Sequence, residues 1–424
     1  MNIKDKILEK FKNNKELSQN FIWRIFQTGG KEGVSLIIFL VATYFLSKEE
    51  MGVYNYVFAS LNLLVIFADF GISTATSKYV AEYNTVNKDR LKKVLFNTIT
   101  VVFAIASIVS ILVIFAGDKW FGDYNKYVLY TLPIIFFSPI SSLYDGIYRG
   151  LKRFKKLAVS SLSVGGIVLV LAGILIPRFG LTGALISQDI MYILLFIVLA
   201  CGYKNIELKY DKKVISDIFK YSLAFGVATL GYYLFSKVNI VILGKYNFIE
   251  EIATYELLNK IFNVYLLPFT ILGQVLAPYT TELFALKKYK KVRSQYFKSS
   301  KYLLILSAIF VPLTMILTRF LIKWFFPQYD NELLVMLLLP VSLTYAKSVY
   351  SGPINAGYIV ATGDAGIMTI QNIISGGLNV VLSIFAIEKY GYMGVIWTTL
   401  IVQFVSLLVL QLIYMKRLKK YAET

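Results

Sequence analysis

The chain has 424 residues, 57% of them hydrophobic and only 16% charged, with 44 Lys and Arg against 25 Asp and Glu for a net charge of +19. A soluble protein carries roughly a quarter charged residues, so an ordinary water-soluble globule is excluded. The lysines lie in short connections between apolar runs, which points to cytoplasmic loops and away from nucleic acid.

Residues 1–19 form the first predicted element. Ile3, Ile7, Leu8 and Phe11 share one helical face and Lys4, Lys6, Lys10 and Lys12 lie elsewhere, which suits an amphipathic helix on the inner membrane surface, with a solvated tail as the plainer alternative. No cleavable signal is evident in this charged stretch. Apolar runs near the ~20 residues that cross a hydrocarbon core then recur to the end of the chain. They place spans at 20–46, 52–77, 94–116, 127–149, 157–177, 182–203, 216–243, 252–280, 301–322, 332–357, 366–387 and 391–414. Pro139, Pro268, Pro312 and Pro340 fall inside spans, where neighbouring groups can satisfy the freed carbonyls. Cys201, the single cysteine, reads as a small apolar filler. With no histidine in the chain, neither a disulfide nor a Cys/His metal site is expected, and no cofactor.

Orientation follows from the basic residues. Lys88, Arg90, Lys92 and Lys93, then Lys152, Arg153, Lys155 and Lys156, then Lys287, Lys288, Lys290 and Lys291 occupy alternate loops, and Lys416, Arg417, Lys419 and Lys420 the tail. The intervening loops carry Glu49, Glu50, Asp118, Asp123, Glu250 and Glu251. Both termini are therefore expected in the cytoplasm, in agreement with an even span count; the basic-poor loop near Asp364 is the exception.

The sequence also repeats. Gly165, Gly166, Gly180 and Gly183 recur with the same internal spacing as Gly376, Gly377, Gly391 and Gly394, while Tyr54 and Pro139 recur as Tyr255 and Pro340 at a second constant offset. The expected fold is an all-α membrane protein of twelve helices. Two six-helix bundles, 20–210 and 211–424, would be related by a pseudo-twofold axis along the membrane normal, with substrate held between them and alternating access by rocking.

Three stretches carry a family resemblance: Leu46-Ser-Lys-Glu-Glu-Met-Gly-Val-Tyr54, Ala68-Asp-Phe-Gly-Ile-Ser-Thr-Ala-Thr-Ser-Lys-Tyr-Val-Ala-Glu82, and Gly146-Ile-Tyr-Arg-Gly-Leu-Lys-Arg-Phe154. With them the chain resembles the polysaccharide transporter or O-antigen flippase family, within the superfamily of multidrug, oligosaccharidyl-lipid and polysaccharide exporters. The resemblance implies a multi-pass transporter in the plasma (inner) membrane, not an enzyme. Its cargo would be a lipid-linked oligosaccharide on a polyprenyl phosphate or diphosphate, flipped to the outer leaflet. Its partners would be membrane lipids and other polysaccharide-assembly membrane proteins.

Ionisable groups inside spans cost a few kcal/mol and persist where they face a wet cavity or a partner. Arg24, Lys31, Lys347, Lys260, Lys237 and Arg149 are the cationic candidates for holding a phosphate head group. Arg24 and Lys31 share a helical face about 10 Å apart along the axis. Four of them have a plainer reading too. Lys237 is close enough to a helix end to snorkel, Lys260 stands four residues after Glu256 at ion-pair spacing, Arg24 beside Trp23 suits an interfacial anchor, and Arg149 suits a membrane-surface contact. Asp69, Glu32, Asp145, Asp189 and Glu256 are the candidates for ion coupling or gating, Asp69 equally for a structural cap. Tyr232, Tyr233 and Tyr265 suit either packing or stacking on sugar rings.

The main alternative is a sodium- or proton-coupled extruder of organic cations, which needs an acidic, aromatic cavity. A membrane glycan polymerase or ligase usually carries a long external loop, and every outer loop here is short. A purely structural role leaves the intramembrane charge unused. An ATP-driven pump is excluded for this chain alone, because no Gly-rich loop ending in Gly-Lys-Ser/Thr is present.

Overall fold

The computed structural model describes residues 15–203 and 206–423. The greater part of the amphipathic segment, residues 1–14, lies outside them. The regular secondary structure of the described residues is all helical, with no strand. In chain order the helices are α1 (Lys15–Phe45), α2 (Lys48–Asp69), α3 (Ile72–Val86), α4 (Lys88–Phe121), α5 (Asn125–Tyr130), α6 (Leu132–Gly150), α7 (Phe154–Cys201), α8 (Lys212–Ser236), α9 (Val238–Lys245), α10 (Ile249–Ala285), α11 (Tyr289–Phe325), α12 (Glu332–Ile354) and α13 (Ala365–Glu423). Nine helical stretches among the described residues are long and apolar enough to cross a membrane. Two of them, α7 and α13, each bend back at a non-helical glycine, so the nine stretches become eleven long apolar helices among the described residues when each arm is counted. It is a multi-pass helical membrane protein. Large apolar side chains such as Leu304, Ile305, Ile309 and Ile316 of α11 stay exposed, as a lipid-facing helix requires.

Contacts divide the chain into two compact units, Met1–Thr229 and Leu230–Thr424, with the boundary inside α8. The first has a core around Ile72, Leu91, Val102, Leu143, Tyr148 and Leu157, the second around Tyr296, Leu303, Ile354, Tyr358 and Tyr414.

The repeated glycines do matching work in each unit. Gly180 has φ +54° and Gly391 φ +60°, a region open mainly to glycine. Just beyond each bend, a Cβ on Gly183 would lie 2.2 Å from the Leu175 carbonyl oxygen, and one on Gly394 would lie 2.4 Å from that of Ala386. The predicted pairs of spans at 157–203 and 366–414 are thus tight hairpins without a loop. The correspondence extends to packing. Gly30 sits against Leu162 as Gly231 sits against Ile373, and Gly165 against Val34 as Gly376 against Leu234 and Phe235, at the same two offsets that relate the sequences.

Three predicted spans are broken, the one drawn as 127–149 only at Thr131, between α5 and α6. The one drawn as 52–77 ends at Asp69: Phe70 and Gly71 adopt left-handed backbone (φ 36° and 80°), and α3 starts afresh. The break is forced by close packing, since a Cβ on Gly71 would meet Gly226 N and Ser222 O of α8 at 2.7 Å. The one drawn as 216–243 breaks at Lys237, whose φ of −133° ends α8 and begins α9. Cys201 closes α7 as an exposed residue, not a packed filler.

The stretches that carry the family resemblance are structural devices. Ser47 and Glu50 form a capping box at the start of α2: the Ser47 hydroxyl accepts from Glu50 N (3.2 Å) and the Glu50 carboxylate from Ser47 N (2.9 Å). Gly146 and Gly150 let α6 lie directly on α3, where added Cβ atoms would stand 2.5 and 2.7 Å from the Ser73 and Ser77 carbonyl oxygens.

Candidate functional site

The close approach of α6 to α3 brings the serine-bearing face of α6 toward α1. Along α6, Ser138, Ser141, Ser142, Asp145 and Arg149 fall at successive helical turns and make one polar stripe. Along α1, Arg24, Gln27 and Lys31 make another. The two stripes enclose a cavity of about 280 Å³ within the first unit, completed by Ser73 of α3 and by Ser161 and Tyr192 of α7.

A chain of polar contacts runs across it. The Arg24 guanidinium donates to the side-chain oxygen of Gln27, and Gln27 Nε2 donates to Asp145 Oδ1 at 2.6 Å. Arg149 Nε stands 2.6 Å from Asp145 Oδ2, one turn along α6. This last contact is an ion pair without hydrogen-bond alignment, since the Arg149 Nε proton finds no hydrogen-bond partner. Gln27 is only 6% exposed, so both ends of its amide must be used, and they are. The cavity wall thus carries three cations, Arg24, Lys31 and Arg149, against one carboxylate, Asp145. Hydroxyls supply most of the remaining polarity. A wall of this kind suits an anion with several acceptor oxygens and a neutral polyol attached to it.

The Trp23 ring receives the Lys155 ammonium at 5.6 Å, while its neighbour Arg24 turns to Gln27. Arg149 faces the cavity and Asp145, which departs from the surface contact its position suggested. Asp69 caps α3: its two oxygens accept from Ser73 N (3.0 Å) and Ser73 Oγ (2.9 Å), which orients the hydroxyl that lines the cavity. Asp189 is 8% exposed on α7, and its Oδ1 is enclosed with no hydrogen-bond partner. The side chain of Glu32 lies outside the described residues.

The remaining candidates belong to the second unit. Lys347 donates to Gln403 Oε1 at 2.9 Å and lies 5.6 Å from the centre of the Phe235 ring. Lys237 does not simply snorkel: it pairs with Glu256 at 3.7 Å, and Glu256 also accepts from Asn259 at 2.6 Å. Lys260 is half-buried on α10. Of the tyrosines, Tyr233 is buried and Tyr232 exposed, while Tyr265 receives a bond from Thr318 at 3.4 Å.

Gln27 and the α6 serines are functional candidates that charge alone does not reveal. A helical-period signal was present, with Gln27 between Arg24 and Lys31 on one face and the serines at one-turn intervals ahead of Asp145.

The fold is that of the exporter superfamily. It matches an inward-facing multidrug resistance MATE family transporter of the MOP superfamily with a TM-score of 0.73 at 14% identity, covering 95% of this chain and 99% of that one. It matches the lipid II flippase MurJ in its inward closed conformation with a TM-score of 0.72 at 16% identity, covering 95% and 90%. A MOP superfamily transporter from Pyrococcus furiosus, described as having a binding pocket of reverse polarity, gives a TM-score of 0.58 at 16% identity, covering 97% of each chain. Among curated proteins, an uncharacterized membrane protein of Methanocaldococcus jannaschii is 24% identical over 246 residues, 50% of this chain and 55% of its own length. The chain thus spans about half the length of the curated relative it matches. These likenesses define the fold, one shared with the transporters and the flippase just named. Residues 17–284 match the family described as polysaccharide biosynthesis protein, and the chain belongs to that family.

Proposed function

We propose that the protein flips a polyprenyl-(di)phosphate-linked oligosaccharide from the cytoplasmic to the outer leaflet. The observation that carries this reading is the cavity bounded by Arg24, Lys31, Arg149 and five serines. Its excess of cations matches a phosphate or diphosphate, and its hydroxyls match the first sugar, while the polyprenyl chain stays in lipid. Asp145, which pairs with Arg149, stands where a phosphate would accept from that guanidinium when cargo binds. Lys347, whose described hydrogen-bond partner is the neutral Gln403, is a second contact for the cargo, with Lys237 and Lys260 less directly placed.

On this reading the twelve spans form two six-helix bundles, 20–210 and 211–424, related along the membrane normal and rocking in alternating access with both termini cytoplasmic. The matched glycine packing in the two halves supports that duplication. An ion gradient drives the cycle through a buried carboxylate, for which the partnerless Asp189 oxygen is the best-placed group.

The MATE likeness raises a second reading, extrusion of organic cations, which the sign of the cavity charge opposes. Proteoliposomes containing either a polyprenyl-diphosphate oligosaccharide or ethidium separate the two. Oligosaccharide translocation that is lost in Arg24→Ala/Arg149→Ala supports the flippase; ethidium transport with no oligosaccharide movement overturns it.

A further inference from the structure

The second unit contains a cleft that the proposed transport cycle does not use. It runs for about 480 Å³ between the two arms of the α13 hairpin. Its walls are Ile370, Ile374, Leu378, Val405, Val409 and Ile413, and Arg417 closes the end away from the bend. The polar groups on its floor are occupied with one another: Gln371 donates to Ser406 Oγ, and Ser375 Oγ donates to Ser406 Oγ at 2.9 Å. The floor therefore offers little to water, and a membrane-embedded apolar cleft of this size is filled by hydrocarbon.

The end of the cleft is built differently. Arg417 is held by Asp364, whose carboxylate is 3% exposed and also accepts from Thr362 and Tyr421. That network fixes where the guanidinium sits. An arginine has five N–H donors, so a single carboxylate contact leaves others for an incoming acceptor. Lys416, Lys419 and Lys420 adjoin it in sequence, so this end of the hairpin is basic even with Asp364 counted. Anionic head groups of an inner leaflet collect at such a basic margin.

We propose that the α13 cleft is a binding site for one bilayer phospholipid with an anionic head group, an acyl chain lying between the arms and the phosphate on Arg417. The occupant is a resident lipid and not the cargo, because charge and apolar groove meet here within the second unit alone, independently of the serine-lined cavity and of the function proposed for it.

Native mass spectrometry of the full chain, delipidated and then supplied with phosphatidylglycerol or phosphatidylcholine of matched acyl chains, tests the assignment. The wild type should retain one phosphatidylglycerol in preference to phosphatidylcholine. Arg417→Gln in an Asp364→Asn background, which strands no buried carboxylate, should reduce that preference about fivefold. Val405→Trp, on an exposed part of the wall, should prevent retention of either lipid. Equal retention by the wild type and Val405→Trp overturns the site. So does displacement of phosphatidylglycerol by an equimolar polyprenyl phosphate, which would assign the cleft to the carrier instead.

Discussion

Gln27 and Asp145, 118 positions apart in the chain, are joined by a 2.6 Å hydrogen bond that ties α1 to α6 across the serine-lined cavity. Because Gln27 also accepts from Arg24 and Asp145 also pairs with Arg149, this one contact couples two cations to a single carboxylate. Removing either partner alters the charge felt by anything in the cavity.

Asp145→Asn should therefore bind a polyprenyl diphosphate more tightly. The carboxylate competes with phosphate for Arg149, and the isosteric amide keeps the shape and loses the charge. A gain of about 1 kcal/mol, near fivefold in Kd, is the order expected for a partly exposed ion pair of this kind. Fluorescence titration in nanodiscs with a labelled polyprenyl diphosphate reads it; weaker binding would mean that Asp145 positions the cargo instead of standing in for it.

Arg149→Lys and Arg149→Ala should differ. Lysine keeps the charge and loses the planar fork, so it should retain part of the translocation rate, while alanine should lower it tenfold or more, since a desolvated charge-assisted contact contributes about 1.5–3 kcal/mol. Equal loss in both would show that geometry, not charge, is what the cargo requires.

Gly71→Ala should be more destabilising than Gly122→Ala. Both glycines have positive φ, but a Cβ on Gly71 meets the α8 backbone at 2.7 Å, while one on Gly122 meets nothing within 4 Å. The positive-φ backbone costs an alanine about 1–3 kcal/mol at either position, and the clash with the α8 backbone adds to it at Gly71 only. Thermal unfolding in detergent should show Gly71→Ala clearly below Gly122→Ala; matching midpoints would refute the steric account of the α2–α3 break.

Gly183→Val and Gly394→Val should impair the two halves alike, because each glycine sits under 2.5 Å (as an added Cβ) from the carbonyl of the facing arm. Loss of folded protein in one variant and not the other, judged by fluorescence-detected size exclusion, would show that the two hairpins do not share one design.

Much of the fold is legible in the sequence, for reasons that particular residues make plain. The helices are readable because apolar length is dictated by the bilayer, and the glycine repeat is readable because Gly180, Gly183, Gly391 and Gly394 occupy positions where a side chain is sterically costly. The breaks at Phe70–Gly71 and Lys237 were not readable, because apolar runs continue through them and the cause of the first, contact with Gly226, is tertiary. Arg24 and Lys31 stood out as charges in an apolar run. Their connection to Asp145 and Arg149 did not, because it passes through Gln27, a neutral residue whose importance comes from being buried between α1 and α6.

The site assignment is tested most directly by photocross-linking from a benzophenone amino acid at Ser142, in membranes supplied with a radiolabelled polyprenyl-diphosphate sugar. The cavity described here predicts a labelled adduct at that position which disappears in Arg24→Ala/Arg149→Ala. No adduct at Ser142, with the same probe at a lipid-facing residue such as Ile309 capturing the label, would contradict it.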